Sequence, residues 1–312
     1  MSFFLTAAVT LLIFLNGATD ACNAIASAVS ARSLTLRQGA ILAAVCNLAG
    51  GLLASLFFQG VGEAVTGAVD FGAFPAVGAL ACLGGAVLFT AVMWCLRLPT
   101  SESHALLASA AGVTAAMGEQ AADAILPAVL WMTVCTLGGF LSGVLLPRLI
   151  PRGLPSRWTV RLQVVTAAGV SFFHGVQDLP KFLAILAAAG RADMSGGFGV
   201  WVLAALVLGL GTLLGGRRMT EAVGSDLAEL TPRAALSSDL AAAFTLSVLS
   251  TLGIPSSTTH AKTAAVVGAA VTDRACRLHR RQAGRLALGW ILTFPLCALC
   301  GFVLARLFTG WL

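Results

Sequence analysis

The sequence predicts an all-α integral membrane protein of about ten transmembrane segments, in two inverted-topology repeats whose broken or re-entrant helices meet at the midplane. Three observations predict it. Of 312 residues, 58% are hydrophobic and only 10% charged, too apolar for a water-soluble fold. The apolar residues come in runs close to the roughly 20 residues a spanning helix needs. The polar motifs inside those runs occur twice, at a nearly constant offset. No stretch remains for a sizeable soluble domain, which excludes a receptor with an ectodomain and an anchored enzyme with a separate catalytic domain.

In chain order the segments are roughly 2–31, 38–60, 74–97, 98–118 and 122–147, then 161–190, 197–215, 235–253, 254–272 and 285–311. The first is apolar from Met1 to Leu15 with no basic flank and no small-residue cleavage site, so it reads as a retained span and not a signal peptide. The first and sixth carry polar interruptions at their middles, Asn16-Gly-Ala-Thr-Asp-Ala-Cys-Asn23 and His174-Gly-Val-Gln-Asp-Leu-Pro-Lys181. The fourth and ninth open on Pro99-Thr-Ser-Glu-Ser-His104 and Pro255-Ser-Ser-Thr-Thr-His260. Asp20 and Asp178 are 158 positions apart, as are Glu63 and Glu221, each followed by Ala-Val; His104 and His260 are 156 apart. The chain therefore reads as repeat 1 over 1–147, a basic cytoplasmic linker over 148–160 with Arg148, Arg152 and Arg157, and repeat 2 over 161–312.

Charge sets the expected orientation. With residues 32–37, 97, 148–161, 217–233 and 274–285 on the cytoplasmic side, that side holds 15 of the 19 basic residues. The opposite loops hold Arg191 and the acids Glu63, Asp70, Glu119 and Asp123. This bias places both termini of the multi-pass chain on the extracytoplasmic side, the membrane expected being the plasma (cell inner) membrane. Five passes per half, an odd number, turn the second repeat upside down relative to the first, which is the plan of secondary transporters. The arginines are scattered in short clusters between apolar runs, so they report orientation and no nucleic-acid partner. Cys46, Cys82, Cys95 and Cys135 sit singly in apolar runs and read as reduced packing residues; Cys297 and Cys300 have CxxC spacing without a second pair or a nearby histidine, so no metal is expected there.

The polar residues within the apolar segments carry the functional expectation. Lys181 and Lys262 are the only lysines, and both fall in or just after the repeated motifs, with Asp20, Glu102, Asp178, His104 and His260. An ionisable group at that depth costs at least about 2.5–3.5 kcal/mol, so a matched set implies mutual pairing or a hydrated site, beyond simple glue between helices. The hydroxyls of Ser257, Thr258 and Thr259 and the free N–H groups of the helix after Pro255 suit an anion, with Ser101 and Ser103 opposite them. The oxygens of Asp20, Asn23, Gln177 and Asp178, with carbonyls freed where the helices unwind, suit a small cation. Anion donors beside cation acceptors point to symport, and to a transporter in preference to an enzyme.

These motifs, with Gly216-Arg-Arg-Met-Thr-Glu-Ala-Val-Gly224 between them, resemble the inorganic phosphate transporter (PiT) family in the same order over nearly the whole chain. The resemblance implies phosphate uptake coupled to Na⁺ or H⁺, inverted repeats, a homodimer and no cofactor beyond the coupling ion. It sets Asp20 and Asp178 at the paired family aspartates, Ser257, Thr258 and Thr259 at the second hydroxyl loop, and Asp239 where the family usually has a glutamate. Three positions depart from the pattern: Ser101-Glu102-Ser103 replaces a Ser-Thr-Thr loop, Thr19 an asparagine, and Lys181 an asparagine of the second half. The ammonium of Lys181 is expected to pair with Asp178 or the substrate in place of one Na⁺, with Glu102 as the group whose protonation accompanies transport and Asp20 and Asn23 still able to hold one Na⁺. The alternatives are another tetrahedral oxyanion such as sulfate or arsenate, an anion channel, and an intramembrane hydrolase built on Asp20 and Asp178.

Overall fold

The computed structural model describes residues 1–96, 100–120, 122–190, 197–223 and 227–310, those at 21–22, 122–124 and 216–223 by backbone alone. Pro99, Arg191 and Gly224, named above, lie outside the described residues, and so do the side chains of Asp123 and of the Gly216 motif. The first half contains α1 (Ser2–Thr19), α2 (Ala21–Ser30), α3 (Leu36–Phe57), α4 (Gly60–Ala68), α5 (Pro75–Leu96), α6 (Glu102–Met117) and α7 (Ala122–Leu145). The second contains α8 (Ser156–Ala188), α9 (Phe198–Val223), α10 (Pro232–Thr251), α11 (Thr258–Thr272) and α12 (Arg280–Thr309). Two short strands, β1 (Ala228–Glu229) and β2 (Arg277–Leu278), pair antiparallel with Ala228 opposite Leu278.

Local chemistry sets several boundaries. Thr35 and Gln38 form a reciprocal capping box at the start of α3. Thr231 caps α10, with Pro232 at the first helical position where a missing N–H costs nothing. Ser101 and Ser257 cap α6 and α11 in nearly the same backbone conformation, φ −105°, ψ 112° and φ −104°, ψ 120°.

Among the described residues, seven helices or helix pairs are long and apolar enough to cross a membrane: Ser2–Ser30, Leu36–Phe57, Pro75–Leu96, Ile125–Arg148, Phe198–Gly215, Pro232–Thr251 and Arg280–Thr309. The other three expected segments are helical but different in kind. At 16 and 15 residues, α6 and α11 rise only about 22–24 Å, short of a hydrocarbon core of about 30 Å. The third, α8, has 33 residues but a polar middle. That middle also corrects an expectation: α8 runs unbroken from Ser156 through the His174–Lys181 motif to Ala188, with Pro180 inside it. The proline withholds one N–H, from the Val176 carbonyl, and frees no further turn. In the first half the break is a single residue, Asp20, itself helical at φ −83° and ψ −29°.

Polarity is distributed inside out. Asn16, Asp20, Glu102, His174, Asp178, Lys181 and Lys262 are buried, while Leu126, Leu130 and Leu141 of α7 and Leu288, Ile291 and Leu299 of α12 are exposed. An apolar perimeter around a polar centre is stable when the surrounding solvent is hydrocarbon. The helices pack crosswise between halves: α6 lies on α12 and α11 on α7, α1 on α9 and α8 on α3. Glycines permit this closeness. A Cβ at Gly112 of α6 would stand 1.9 Å from the Ala298 carbonyl oxygen of α12, and one at Gly175 of α8 would stand 2.2 Å from the Asn47 carbonyl oxygen of α3.

The backbone approach yields a test. Gly112→Ala forces α6 off α12 and should cost about 1–3 kcal/mol, read as a lower melting temperature of the purified protein in detergent. Gly67→Ala on α4, where the new methyl meets nothing within 4 Å, should not lower it. Equal melting of the two variants would contradict the packing.

Candidate functional site

Two helix N-termini converge at the centre of the molecule. The Ser101 Oγ that caps α6 donates to the Ser257 Oγ that caps α11, at 2.7 Å. The rings of His104 and His260, each three residues into its helix, meet edge to face with centroids 4.3 Å apart. The Nδ1 of His260 lies 2.9 Å from Ser257 Oγ, and its ring stacks on Trp290. The first-turn N–H groups of α6 and α11 have no intrahelical acceptor, and the two dipoles place partial positive charge in one region.

The hydroxyl residues of the two loops behave differently from one another. Ser103 Oγ donates to Asp178 Oδ1 at 3.3 Å, and Thr259 Oγ1 donates to Asp20 Oδ1 at 2.5 Å. Between them, Ser256 Oγ and Thr258 Oγ1 are buried and have no hydrogen-bond partner among the described residues. Buried hydroxyls in that state cost about 1–3 kcal/mol each unless something binds them. A tetrahedral oxyanion, rich in acceptors, fits such donors at paired helix N-termini.

Around this spot stand the charged groups. Lys181 of α8 donates to Asp178 Oδ1 and to Ser103 Oγ, each at 2.8 Å, and to the carbonyl of Ser256. All three of its protons are used, and they tie α8 to both hydroxyl loops at once. Asp178 also accepts from Asn16 Nδ2 at 3.0 Å, and His174 Nε2 lies 3.2 Å from the same oxygen. The other face of His174 meets Asn47, which donates to Thr212. On the first-half side, Asn23 Nδ2 donates to Asp20 Oδ1 at 3.2 Å and to Thr259 Oγ1 at 3.1 Å. Thr19 donates to Glu102 Oε1 at 2.5 Å. Oxygens of Asp20 and Asp178 and a ring nitrogen of His174 lie within 4.8 Å of one another, close enough to share a cation.

Of the residues singled out in the sequence, Asp20, Asn23, Ser101, Glu102, Ser103, Asp178, Lys181, Ser257, Thr258 and Thr259 are gathered here. Gln177 donates through its amide to Ser250 Oγ and the Ile254 carbonyl and accepts from the Ser256 N–H at 2.9 Å, so it braces the second loop. Asp239 and Lys262 pair with each other away from this spot, joined by Ser27. Glu102 and Lys181 do not form an ion pair, since each is held by other groups. Asn16, Thr19 and His174 belong to the cluster although sequence reasoning passed over them as site residues. A signal existed: Asn16 and His174 each precede a motif aspartate by one helical turn and are 158 apart.

Comparison with known proteins identifies the family. The chain matches the sequence model of the Phosphate transporter family over residues 16–158 and 153–301. The chain belongs to that family. It is 33% identical over 307 residues to a "probable low-affinity inorganic phosphate transporter" of Rhizobium meliloti (strain 1021), covering 92% of this chain and 90% of the relative. A protein of the same description from Bacillus subtilis (strain 168) is 29% identical over 309 residues, covering 93% and 92%. Among solved structures, one described as "the sodium-dependent phosphate transporter" shares the fold, with a TM-score of 0.85, 19% identity and full coverage of both chains. The family member is therefore a membrane-embedded transporter and not an enzyme.

The charge cluster predicts its own fragility. Asp178→Asn leaves the Lys181 ammonium buried without its counter-charge, which should cost about 3–5 kcal/mol of stability. Asp178→Asn combined with Lys181→Met should recover much of that loss in the same thermal melt. A single variant as stable as the parent protein would show that the pair does not hold the centre together.

Proposed function

We propose that the chain is a secondary active symporter that takes up inorganic phosphate across the plasma membrane by alternating access of two inverted repeats. The observation that carries the reading is the Ser101–Ser257 hydrogen bond, which joins two helix N-termini next to the unpartnered hydroxyls of Ser256 and Thr258 in the second loop. The repeat reading is supported by equivalent contacts: Ser103 with Asp178 and Lys181, and Thr259 with Asp20 and Asn23, are the same pattern shifted by 156 and 158 positions. Within it, Ser101, Ser103, Ser257, Thr258 and Thr259 serve the anion, and Gln177 positions the loop that carries them.

Coupling follows from charge. Asp20, Glu102 and Asp178 supply three carboxyls and Lys181 one ammonium, all buried. Adding a phosphate anion to such a cluster is prohibitive in a low dielectric unless cations or protons enter with it. Asp178 already receives Asn16, Ser103 and Lys181 and lies against His174, so the first-half side, Asp20 with Glu102, is where the added positive charge belongs. Glu102, whose Oε2 has no hydrogen-bond partner among the described residues, is the acid able to take up H⁺ there; a Na⁺ bridging Asp20 with Asn23 is the other form of the same device.

Phosphate is preferred to sulfate because its protonated form needs an acceptor, and Glu102 Oε2 has no donor among the described residues. Excess sulfate should therefore leave uptake of labelled phosphate largely intact in proteoliposomes; equal competition would overturn the substrate. Thr258→Val deletes one donor at nearly constant shape and should raise the half-saturation concentration roughly 10- to 100-fold, the equivalent of about 1.5–3 kcal/mol. With Na⁺ and pH gradients imposed separately, Glu102→Gln should abolish pH-driven accumulation while phosphate exchange between the two sides persists. Uptake that requires Na⁺ and ignores the pH gradient would assign coupling to the sodium form.

A further inference from the structure

Away from the central cluster, a cavity of about 280 Å³ lies beneath the β1–β2 clasp. It runs from exposed Ser30 and Glu229 to buried Asn23, Ser27 and Lys262, with Thr263 on its wall. At its deep end only the Asn23 side chain, which donates to Thr259 and Asp20, stands between it and the central site. Among the described residues its polar lining is one ammonium, one amide and three hydroxyls, of which the Asn23 amide and the Ser27 hydroxyl already donate elsewhere. Glu229, the one acid among the described lining residues, sits at the exposed rim, 3.7 Å from His279.

We propose that this cavity is a second, transit site for the transported oxyanion, with the Lys262 ammonium as its cationic donor. The inference rests on the phosphate reading above and adds a route to it. Lys262 differs from Lys181 in having capacity to spare. It binds Asp239 and Ser27 Oγ closely, but its third contact, Ser238 Oγ, is at 3.5 Å, beyond the usual 2.7–3.2 Å of a good hydrogen bond. A proton so loosely held is available to an anion in the cavity, and charge-assisted bonds of that type are the strong ones. Asp239 offsets the ammonium, so the site attracts the anion without trapping it, as a station on a transport path requires.

The device exists in one half only. The positions equivalent to Lys262 and Asp239 in the first half are Leu106 and Ala81, both fully buried in the apolar core. The transit site therefore serves the clasp face alone and makes the two faces of the transporter kinetically unequal.

The test is sided transport in proteoliposomes of known orientation, with inorganic phosphate as the probe. Lys262→Gln combined with Asp239→Asn, which leaves no buried charge unpaired, should weaken half-saturation at the clasp face about tenfold more than at the opposite face, the loss expected of one charged hydrogen bond. Equal weakening at both faces would overturn the transit site and leave the central site standing. Absence of phosphate flux from the unaltered protein at either face would instead overturn the phosphate reading itself. Should the double variant fail to fold, Ser30→Cys in the otherwise unaltered chain gives an independent reading. An anionic thiol reagent should label it faster than a cationic one of similar size, and phosphate should slow that labelling. Faster labelling by the cationic reagent, or no slowing by phosphate, would contradict the proposal.

Discussion

The contact on which the centre of this protein depends is the buried pair of Asp178 and Lys181. One turn apart on α8, the two side chains neutralise each other and then reach outward, the ammonium to Ser103 and the Ser256 carbonyl, the carboxylate to Asn16 and Ser103. A buried ion pair of this kind contributes little net stability in itself, because desolvation offsets the attraction. Its effect is positional. It fixes both hydroxyl loops to a single helix, and so brings together two helix N-termini that would otherwise repel each other through their dipoles.

The opposite side of the cluster uses weaker chemistry for the same task. Asn23 stands where the second half has Lys181, and it holds Thr259 and Asp20 by neutral donors. The cluster is therefore asymmetric in charge although symmetric in pattern. One carboxylate carries a fixed counter-charge and the other shares its surroundings with Glu102. In the proposed symport the permanent cation anchors the architecture, and the charge that comes and goes with the substrate belongs to the side that lacks one.

Much of this was legible in the sequence because two kinds of signal reinforced each other. The offsets of 158 and 156 gave the paired aspartates and hydroxyl loops, and the spacing of Asp178 and Lys181 puts them on one helical face. What was not legible depended on neighbours. Gln177 has the chemistry of a cation ligand, and only the fold reveals that Ser250, Ile254 and Ser256 consume both ends of its amide. The His174–Lys181 run reads as a break because polar groups and a proline seldom sit within a spanning helix. It remains helical because Asn16, Asn47, Ser103 and Ser250 on other helices satisfy those side chains. The pairing of Lys262 with Asp239 crosses two helices, and no local spacing announces it.

The central claim is that α6 and α11 present one oxyanion site between their N-termini. Arsenate, with the shape and charge of phosphate and a heavy atom that scatters anomalously, locates it directly in crystals grown or soaked with the ion. An arsenic peak is expected with its oxygens about 3 Å from Thr258 Oγ1 and the first-turn amides of both helices. A peak elsewhere in the molecule with none at the Ser101–Ser257 junction would contradict it.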